Sequence, residues 1–439
     1  MIIDFSIRNY KAIKDEITFS FEANPDISIL SDYYVLEPVP GVKLLKLALI
    51  YGANASGKST VLSALEFLKR LMSDVKEVKN RTISYDRFKL SPETRNSDSS
   101  FNIHFIVKET CYYYQLRFND KCIIEERLYT YSPQDKTEDL ILSRTTDTEN
   151  QIVNVMVSPI YCNDKNIEQK FQDNMRWNET IFAGFQRVNA VFPTLRDINH
   201  WLENSFYPII EPRTELYDYI SKRIEEGEID KNNVLTMLQR ADFMIDNIYF
   251  KEDEKMPKDK EDIIKKILKE LGRIEENEPE IKTMHVEFHH TSTTGEANLT
   301  YDEESLGTQR FYEFCGLLDV MANEPGVFTI DEIEQSLHPD LVEFFIYAFL
   351  CNTEKSQILA TTHNRELLLN RETLRSDAIW FTEKLPDGST DLYSLEDFEP
   401  DIFTSDNHTY YNAYKHGRLG AKPILGDYYF NLKHHDKQQ

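Results

Sequence analysis

Residues 44–50 read LLKLALI, and after Tyr51 residues 52–59 read GANASGKS. The first stretch is short and mostly apolar, which is typical of a strand buried on both faces. The second matches the pattern G-x-x-x-x-G-K-[ST], and apolar residues at helical spacing follow it. Its glycines let backbone N–H groups approach phosphate oxygens at the start of a helix. The two stretches together predict a strand, a phosphate-binding loop and a helix, and therefore a protein that binds ATP.

This loop also predicts the roles of individual side chains. Lys58 is expected to reach the β- and γ-phosphates, and the Ser59 hydroxyl is expected to ligate Mg²⁺. The predicted cofactors are therefore ATP and Mg²⁺. The predicted ATP-binding residues are Gly52, Ala53, Asn54, Ala55, Ser56, Gly57, Lys58, Ser59 and Thr60.

A pair of acids follows a second apolar run, since residues 327–332 read VFTIDE. Strands often end in acids, so the pattern gains its meaning from the phosphate-binding loop that precedes it. Asp331 is then placed to hold Mg²⁺, and Glu332 to orient and polarise the attacking water. The pair predicts hydrolysis of ATP, with Lys58 and Glu332 as catalytic residues.

Two weaker motifs accompany the acid pair. Residues 357–364 read QILATTHN, a strand pattern that ends in His363. Alone, a histidine there is more often structural, but its place after the acids favours a catalytic γ-phosphate sensor. Residues 304–309 read ESLGTQ before an apolar helix. This is either a plain helix N-cap or an anion site made by the Ser305 hydroxyl and the Gly307 N–H.

Composition limits the partners. The 439 residues carry a formal net charge of −25, which opposes non-specific coating of nucleic acid, although a local basic patch stays possible. No apolar run reaches ~18 residues, and the charged N-terminus lacks the apolar core of a secretory signal. We therefore expect no membrane span and a cytoplasmic location. The five scattered cysteines suggest reduced thiols.

Along the chain, strand patterns flank a middle region with helical spacing and dense charge. Alternating strands and helices near both ends predict an α/β fold with a mixed, largely parallel sheet. The middle region predicts a helical insertion that splits this fold. The expected division is a first part of the ATPase head at 1–160, the insertion at 161–283 and a second part of the head at 284–439.

The order of the motifs resembles the ABC-type ATPases, in their SMC-like branch. In that family the S-x-G signature of one subunit caps the γ-phosphate held by the loop of another. The resemblance implies a homodimer, with higher oligomers possible, in which Ser305, Gly307 and Thr308 act in trans. Residues 334–339, EQSLHP, resemble the D-loop of that family, with Ser336 and His338 at the dimer interface. The plainer interpretation is a helix capped by Ser336 with Pro339 in its first turn.

A narrower resemblance extends over most of the chain. It is similar to ABC-like proteins with AAA-type ATPase domains from bacterial abortive-infection and phage-defence loci, of the RloA kind. The resemblance implies a nucleotide-gated dimeric sensor or regulator that controls a separate effector encoded nearby. The stretches that carry it are IRNYKAIKDEITFSF at 7–21, GANASGKST at 52–60, DRFKL at 86–90, ADF at 241–243, DEIEQSLHPDL at 331–341 and YKHGRLGAKP at 414–423.

Two other functions remain open at this stage. One is a RecF- or SMC-like ATPase that acts on DNA in repair or recombination, against which the net charge and the lack of long heptad arms argue. The other is a module that uses ATP as a clamp without hydrolysing it. The glutamine loop of ABC-type ATPases is not recognisable, since neither Gln115 nor Gln186 has a convincing context.

Overall fold

The computed structural model describes residues 1–76, 78, 81–252, 284–369, 373–398 and 410–423. Its contacts divide the chain into two compact units. The first comprises Met1–Ile210, Gly326–Glu332 and Gln357–Gln439, and the second comprises Glu211–Pro325 and Ile333–Ser356. The helical pattern at 262–271 lies outside the described residues.

The described part contains seventeen strands and eleven α-helices. The strands are β1 (Ile2–Arg8), β2 (Ile17–Ser20), β3 (Val35–Val39), β4 (Val42–Leu45), β5 (Leu47–Gly52), β6 (Ser99–Val107), β7 (Thr110–Phe118), β8 (Ile123–Ser132), β9 (Thr137–Asp147), β10 (Ile152–Val157), β11 (Asn247–Glu252), β12 (Met284–Ser292), β13 (Gly295–Thr300), β14 (Val327–Ile330), β15 (Gln357–Thr361), β16 (Ile379–Lys384) and β17 (Thr390–Ser394). The helices are α1 (Ser31–Tyr34), α2 (Lys58–Ser73), α3 (Pro92–Asn96), α4 (Ile167–Asn174), α5 (Ile181–Phe185), α6 (Pro193–Asn204), α7 (Tyr217–Glu225), α8 (Lys231–Arg240), α9 (Leu306–Asn323), α10 (Pro339–Asn352) and α11 (Tyr410–Lys415).

A five-stranded sheet in the first unit carries the predicted motifs. Its order is β14-β15-β5-β16-β17, and all neighbours are parallel except the hairpin of β16 and β17. Strand β5 lies at its centre, and all six of its residues are buried, as its apolar sequence predicts. The carboxyl ends of β5, β14 and β15 therefore share one edge of the sheet, where ligands bind in open parallel sheets.

A larger, seven-stranded sheet in the same unit is entirely antiparallel. Its order is β10-β9-β8-β7-β6-β1-β2. Strands β6 to β10 follow one another along the chain through short turns, and such turns can join only antiparallel neighbours. The α/β class with mixed pairing is thus confirmed, but the pairing is largely parallel only in the five-stranded sheet.

An aromatic cluster fixes α2, the helix after the phosphate-binding loop, against the antiparallel sheet. The ring of Phe67 on α2 lies 5.5 Å from that of Tyr10, 6.1 Å from that of Phe101 and 5.7 Å from that of Phe118. Because the helix is bound to β6 and β7 in this way, the loop at its start has a fixed support.

The second unit packs helices around a small antiparallel sheet with the order β11-β12-β13. Helix α9 is its centre. Its Phe314 ring lies 4.8 Å from Phe345 of α10, and its Phe311 ring is stacked 5.2 Å from Phe243. Helix α9 begins at Leu306, directly after the serine of the predicted signature.

The division into head and insertion at 160/161 and 283/284 is still a prediction. The contacts group the chain differently, since α4, α5 and α6 lie in the first unit, whereas β12, β13 and α9 lie in the second. The described helices include none whose length and apolar character would let it cross a membrane. All five cysteines are free thiols, and four of them are buried.

Candidate functional site

The phosphate-binding loop lies between β5 and α2, at the carboxyl edge of the parallel sheet. Two of its residues have left-handed backbone, Ala55 with φ 62° and Gly57 with φ 110°. The Lys58 ammonium donates to the carbonyl oxygens of Gly52 at 3.0 Å and Ala53 at 3.2 Å. The Lys58 ammonium is thus held beside the backbone of its own loop, where a cation can bind phosphate oxygens.

Two threonines from the neighbouring hairpin of β16 and β17 support the loop from behind. The hydroxyl groups of Ser56 and Thr382 lie 2.6 Å apart, and Thr390 donates to the Ser56 carbonyl at 2.9 Å. A Cβ atom on Gly57 would lie 2.2 Å from Thr390 Oγ1. The hairpin therefore fixes the shape of the loop, a role that sequence reasoning missed.

The acid pair lies beside the loop, at the end of β14. Asp331 Oδ1 accepts hydrogen bonds from the Ser59 hydroxyl at 2.9 Å and from the Thr361 hydroxyl at 2.5 Å. The next residue, Glu332, donates its backbone N–H to the same Thr361 oxygen at 2.8 Å. One threonine at the end of β15 thus fixes both acids.

The backbone at Glu332 is unusual for this residue type. Its φ is 51°, in the left-handed region, which costs a non-glycine residue on the order of 1 kcal/mol. The hydrogen bond to Thr361 and the preceding one from the Asp331 N–H to the Ile210 carbonyl, 2.9 Å, hold this conformation. Strain of this kind at the end of a strand directs one side chain away from the sheet and is frequent at active sites.

Oxygen donors for a metal ion converge in this place. The Ser59 hydroxyl and the Asp331 carboxylate are 2.9 Å apart, and hard oxygen ligands of this type suit Mg²⁺. Within the described ranges, no group of three or more His, Cys, Asp or Glu residues is placed to hold a metal. A serine and one carboxylate fit a magnesium ion that takes its other ligands from water and from nucleotide phosphates.

His363, the predicted sensor, follows β15 and lies at the same edge of the sheet. Its exposed side chain borders an open cavity together with Gly52, Ala53 and Asn54 of the loop. The structure therefore brings the loop, both acids and His363 together within one unit. Of the two glutamines considered, Gln115 lies in β7 and donates to the Tyr113 hydroxyl at 2.9 Å, and Gln186 caps α5.

The predicted signature lies in the second unit, where Ser305 caps α9. Its side chain accepts the Thr308 N–H at 3.1 Å, and the two hydroxyl groups are 2.9 Å apart. A Cβ atom on Gly307 would lie 3.2 Å from the Ser336 carbonyl, so the signature and the D-loop candidate are packed together. The helix-cap interpretation of Ser305 is therefore correct locally, and it is compatible with a second role for these groups.

The D-loop candidate needs one correction. Helix α10 is capped by His338, whose Nδ1 accepts the Asp340 N–H at 3.2 Å, and not by Ser336. Pro339 is in the first turn, as predicted. Ser336 instead has left-handed backbone with φ 64° and an exposed side chain. The serine is thus free of the capping role and forms the bend between the acid pair and α10.

Thr361 provides a test of this geometry. For the magnesium-dependent ATP hydrolysis that the sequence predicts, we expect Thr361→Val to lower turnover by about tenfold to a hundredfold, because the loss of its hydrogen bonds to the two acids costs roughly 1–3 kcal/mol. Steady-state turnover measures this. ATP affinity without Mg²⁺ should remain within about twofold, since Thr361 touches the acids and not the loop. Thr145→Val, at an exposed position of β9, is the matched control, and equal turnover in both variants would contradict the assignment.

A comparison with protein families gives one match. The model of a family described as "AAA domain, putative AbiEii toxin, Type IV TA system" matches residues 47–152 and 191–370. These ranges cover more than half of the chain. They include the loop, the signature candidate, the acid pair and His363. None of the curated proteins compared with the chain matches it.

Several solved structures are similar in fold. An SMC head domain from Thermotoga maritima is 10% identical, covers 90% of this chain and 98% of its own, and has a TM-score of 0.39. An SMC head bound to the C-terminal winged-helix domain of ScpA is 12% identical, with 92% and 99% coverage and a TM-score of 0.42. An SMC head with an extended coiled coil, bound to the C-terminal domain of ScpA derived from Pyrococcus furiosus, is 11% identical, with 90% and 96% coverage and a TM-score of 0.38.

Proposed function

The chain belongs to the AAA-domain family whose description names the AbiEii toxin and the type IV TA system, and on this premise we propose that it binds and hydrolyses ATP as a dimeric regulator in phage defence. ATP binding closes the dimer, hydrolysis reopens it, and the two states control a separate effector protein in the cytoplasm. Each part of this proposal has its own support and its own test.

One contact carries the ATPase part of the proposal. The Ser59 hydroxyl of the loop and the Asp331 carboxylate meet at 2.9 Å, beside Lys58 and directly before Glu332. When bound, Mg²⁺ would neutralise charge on the transferred phosphate from this position. Lys58 would hold the β- and γ-phosphates, and Glu332 would orient the attacking water. This set of residues serves hydrolysis better than binding alone, since a clamp needs no carboxylate for water.

Exposure at the start of the signature, at Ser305 and Leu306, supports the dimer. Leu306, between Ser305 and Gly307, is 71% exposed in the single chain. This leucine lies within the motif that the resemblance assigns to the dimer interface, and a partner that covered it would remove apolar surface from water. We infer that the partner is a second copy of this chain, whose loop-bound nucleotide meets Ser305, Gly307 and Thr308. Ser336 and His338 would lie at the same interface.

Lys58→Ala tests nucleotide binding. The loss of the ammonium that crosses the loop should weaken ATP binding by about tenfold to a hundredfold, because a charge-assisted contact to phosphate is worth roughly 1.5–3 kcal/mol. Titration with a fluorescent ATP analogue measures this. Lys136→Ala, on the exposed turn between β8 and β9, is the control. Unchanged affinity in Lys58→Ala would refute the proposed site.

The proposed role in phage defence has to be tested in living bacteria. A strain that carries the gene with its neighbours should resist phage, and Lys58→Ala in the same locus should remove the resistance. The neighbouring gene product should co-purify with the wild-type chain. Toxicity or nuclease activity of the purified chain alone would refute the proposal that the effector is a separate protein. ATP-gated binding to duplex DNA with a steep salt dependence would instead indicate an ATPase that acts on DNA.

A further inference from the structure

An open cavity of about 800 Å³ lies on the outer face of the phosphate-binding loop, within the first unit. The loop forms one wall through Gly52, Ala53, Asn54 and Ser56. The opposite wall comes from the end of β16 and from the segment 414–423, the YKHGRLGAKP stretch. The cavity is large enough for a phosphate group, and its shared wall places any occupant next to the loop that is proposed to hold the nucleotide.

Positive charge dominates this cavity. Arg365, Lys384 and Lys422 border it, whereas Glu383 is the single carboxylate among its lining residues. Within the part of the chain that the structure describes, neither Arg365 nor Lys384 forms an ion pair with a carboxylate. Three permanent cations are thus gathered at one place in a chain whose net charge is −25. Such a local excess in a concave site raises the concentration of anions there.

The wall made by the C-terminal segment is a built structure. The Tyr414 hydroxyl donates to the Ala421 carbonyl at 3.1 Å, and the Tyr393 hydroxyl donates to the Leu419 carbonyl at 2.8 Å. Burial and the nearby Glu383 carboxylate raise the pKa of Tyr393, so its phenol remains a donor at neutral pH. The Tyr414 ring is stacked 5.7 Å from Phe381 of β16.

The same segment holds a left-handed turn directly before Lys422, one of the residues that line the cavity. Gly420 and Ala421 both have left-handed backbone, with φ 61° and 55°. A non-glycine residue in this region costs on the order of 1 kcal/mol, so the surroundings must impose it. Lys422 follows at once, and its ammonium is held by a hydrogen bond to the Lys415 carbonyl. The turn and this hydrogen bond therefore fix a lysine in the cavity wall across from the loop.

This cavity adjoins the cradle proposed for the nucleotide and shares His363 and one wall of the loop with it. Lys58 and Ser59 do not line it, because the Lys58 ammonium faces the Gly52 and Ala53 carbonyls and the Ser59 hydroxyl faces Asp331. We propose that the cavity binds a second phosphate group through Arg365, Lys384 and Lys422, next to the phosphates held by the loop. The group has two possible sources, namely inorganic phosphate released by hydrolysis, which rests on the proposed ATPase activity, and the phosphate of a second nucleotide.

Direct titration tests the site without any need for turnover. Potassium phosphate is titrated into the full chain saturated with ADP, with potassium chloride at matched ionic strength as the blank, and heat is measured. We expect phosphate to bind the wild type and to bind at least about fivefold more weakly after Lys384→Glu and after Arg365→Ala. The control Lys136→Glu should bind phosphate as the wild type does. Absence of phosphate binding to the wild type, or equal binding by all variants, would overturn the proposal.

Two further measurements distinguish product phosphate from a second nucleotide as the source of the bound phosphate group. If the site receives product phosphate, its release in a single turnover should lag behind ATP cleavage in the wild type, and Lys384→Glu should shorten the lag. If it receives a second nucleotide, the chain should bind more than one ATP, and the variant should bind one. Loss of all ATP binding in both variants would show that the cavity is part of the loop site and would overturn a separate site. A wild type that binds phosphate but does not cleave ATP would refute the ATPase proposal alone.

Discussion

Glu332→Gln should lower ATP turnover by about 10²–10⁴-fold and leave ATP bound. The amide keeps the size of the side chain but cannot accept a proton from water, and a positioned general base typically contributes this much. The backbone N–H of residue 332 would still donate to Thr361, so the strained conformation at the end of β14 should persist. Phosphate production under steady-state conditions measures the loss, and binding of a fluorescent ATP analogue measures the retained affinity.

The same variant reports on the dimer. Because hydrolysis is expected to open the dimer, Glu332→Gln with ATP and Mg²⁺ should elute as a stable dimer in size-exclusion chromatography with light scattering. The double variant with Ser305→Arg, which places a bulky cation in the exposed signature, should remain a monomer. Glu354→Gln, an exposed acid after α10, is the matched control and should turn over like the wild type. Unimpaired hydrolysis by Glu332→Gln would refute the assignment of the water-orienting residue.

The sequence predicted the loop and its strand well because both depend on neighbouring residues. A run of apolar residues specifies β5, and the loop pattern follows it without a gap. The acid pair was likewise found from a short local stretch, VFTIDE. Alternating strands and helices also indicated parallel pairing, which is present in the five-stranded sheet. The separate antiparallel sheet was not anticipated, because alternation in β6 to β8 identifies strands but not their partners.

The supporting threonines could not be predicted in the same way. Thr382 and Thr390 contact Ser56 across more than 300 residues of sequence, and no local pattern connects them to the loop. Thr361 gave a faint signal, as a hydroxyl residue that ends the strand pattern QILA directly before Thr362 and His363. The left-handed backbone of Glu332 gave none, since a glutamate does not favour that conformation. These features arise from tertiary packing around the loop.

Gly57→Ala should abolish ATP binding, with a loss of affinity of more than about a hundredfold. The added Cβ would lie 2.2 Å from Thr390 Oγ1 and 2.6 Å from its Cγ2, at a residue whose φ is 110°. Thr390 cannot move without losing its hydrogen bond to the Ser56 carbonyl, so the loop itself must shift. A displacement of this size separates the backbone N–H groups from phosphate oxygens, and each lost charge-assisted bond costs roughly 1.5–3 kcal/mol.

Gly227→Ala distinguishes the clash of an added Cβ with Thr390 from the energetic cost of a side chain at a positive φ. Gly227 also has a positive φ, 77°, but no atom lies within 4 Å of a Cβ at that position. Its replacement should therefore cost stability on the order of 1 kcal/mol and leave ATP affinity unchanged. Combining Gly57→Ala with Thr390→Ala removes the contact and should restore part of the affinity, because the strain at φ 110° persists. Isothermal titration with ATP compares the four proteins, and wild-type affinity in Gly57→Ala would mean that the β16–β17 hairpin does not set the shape of the loop.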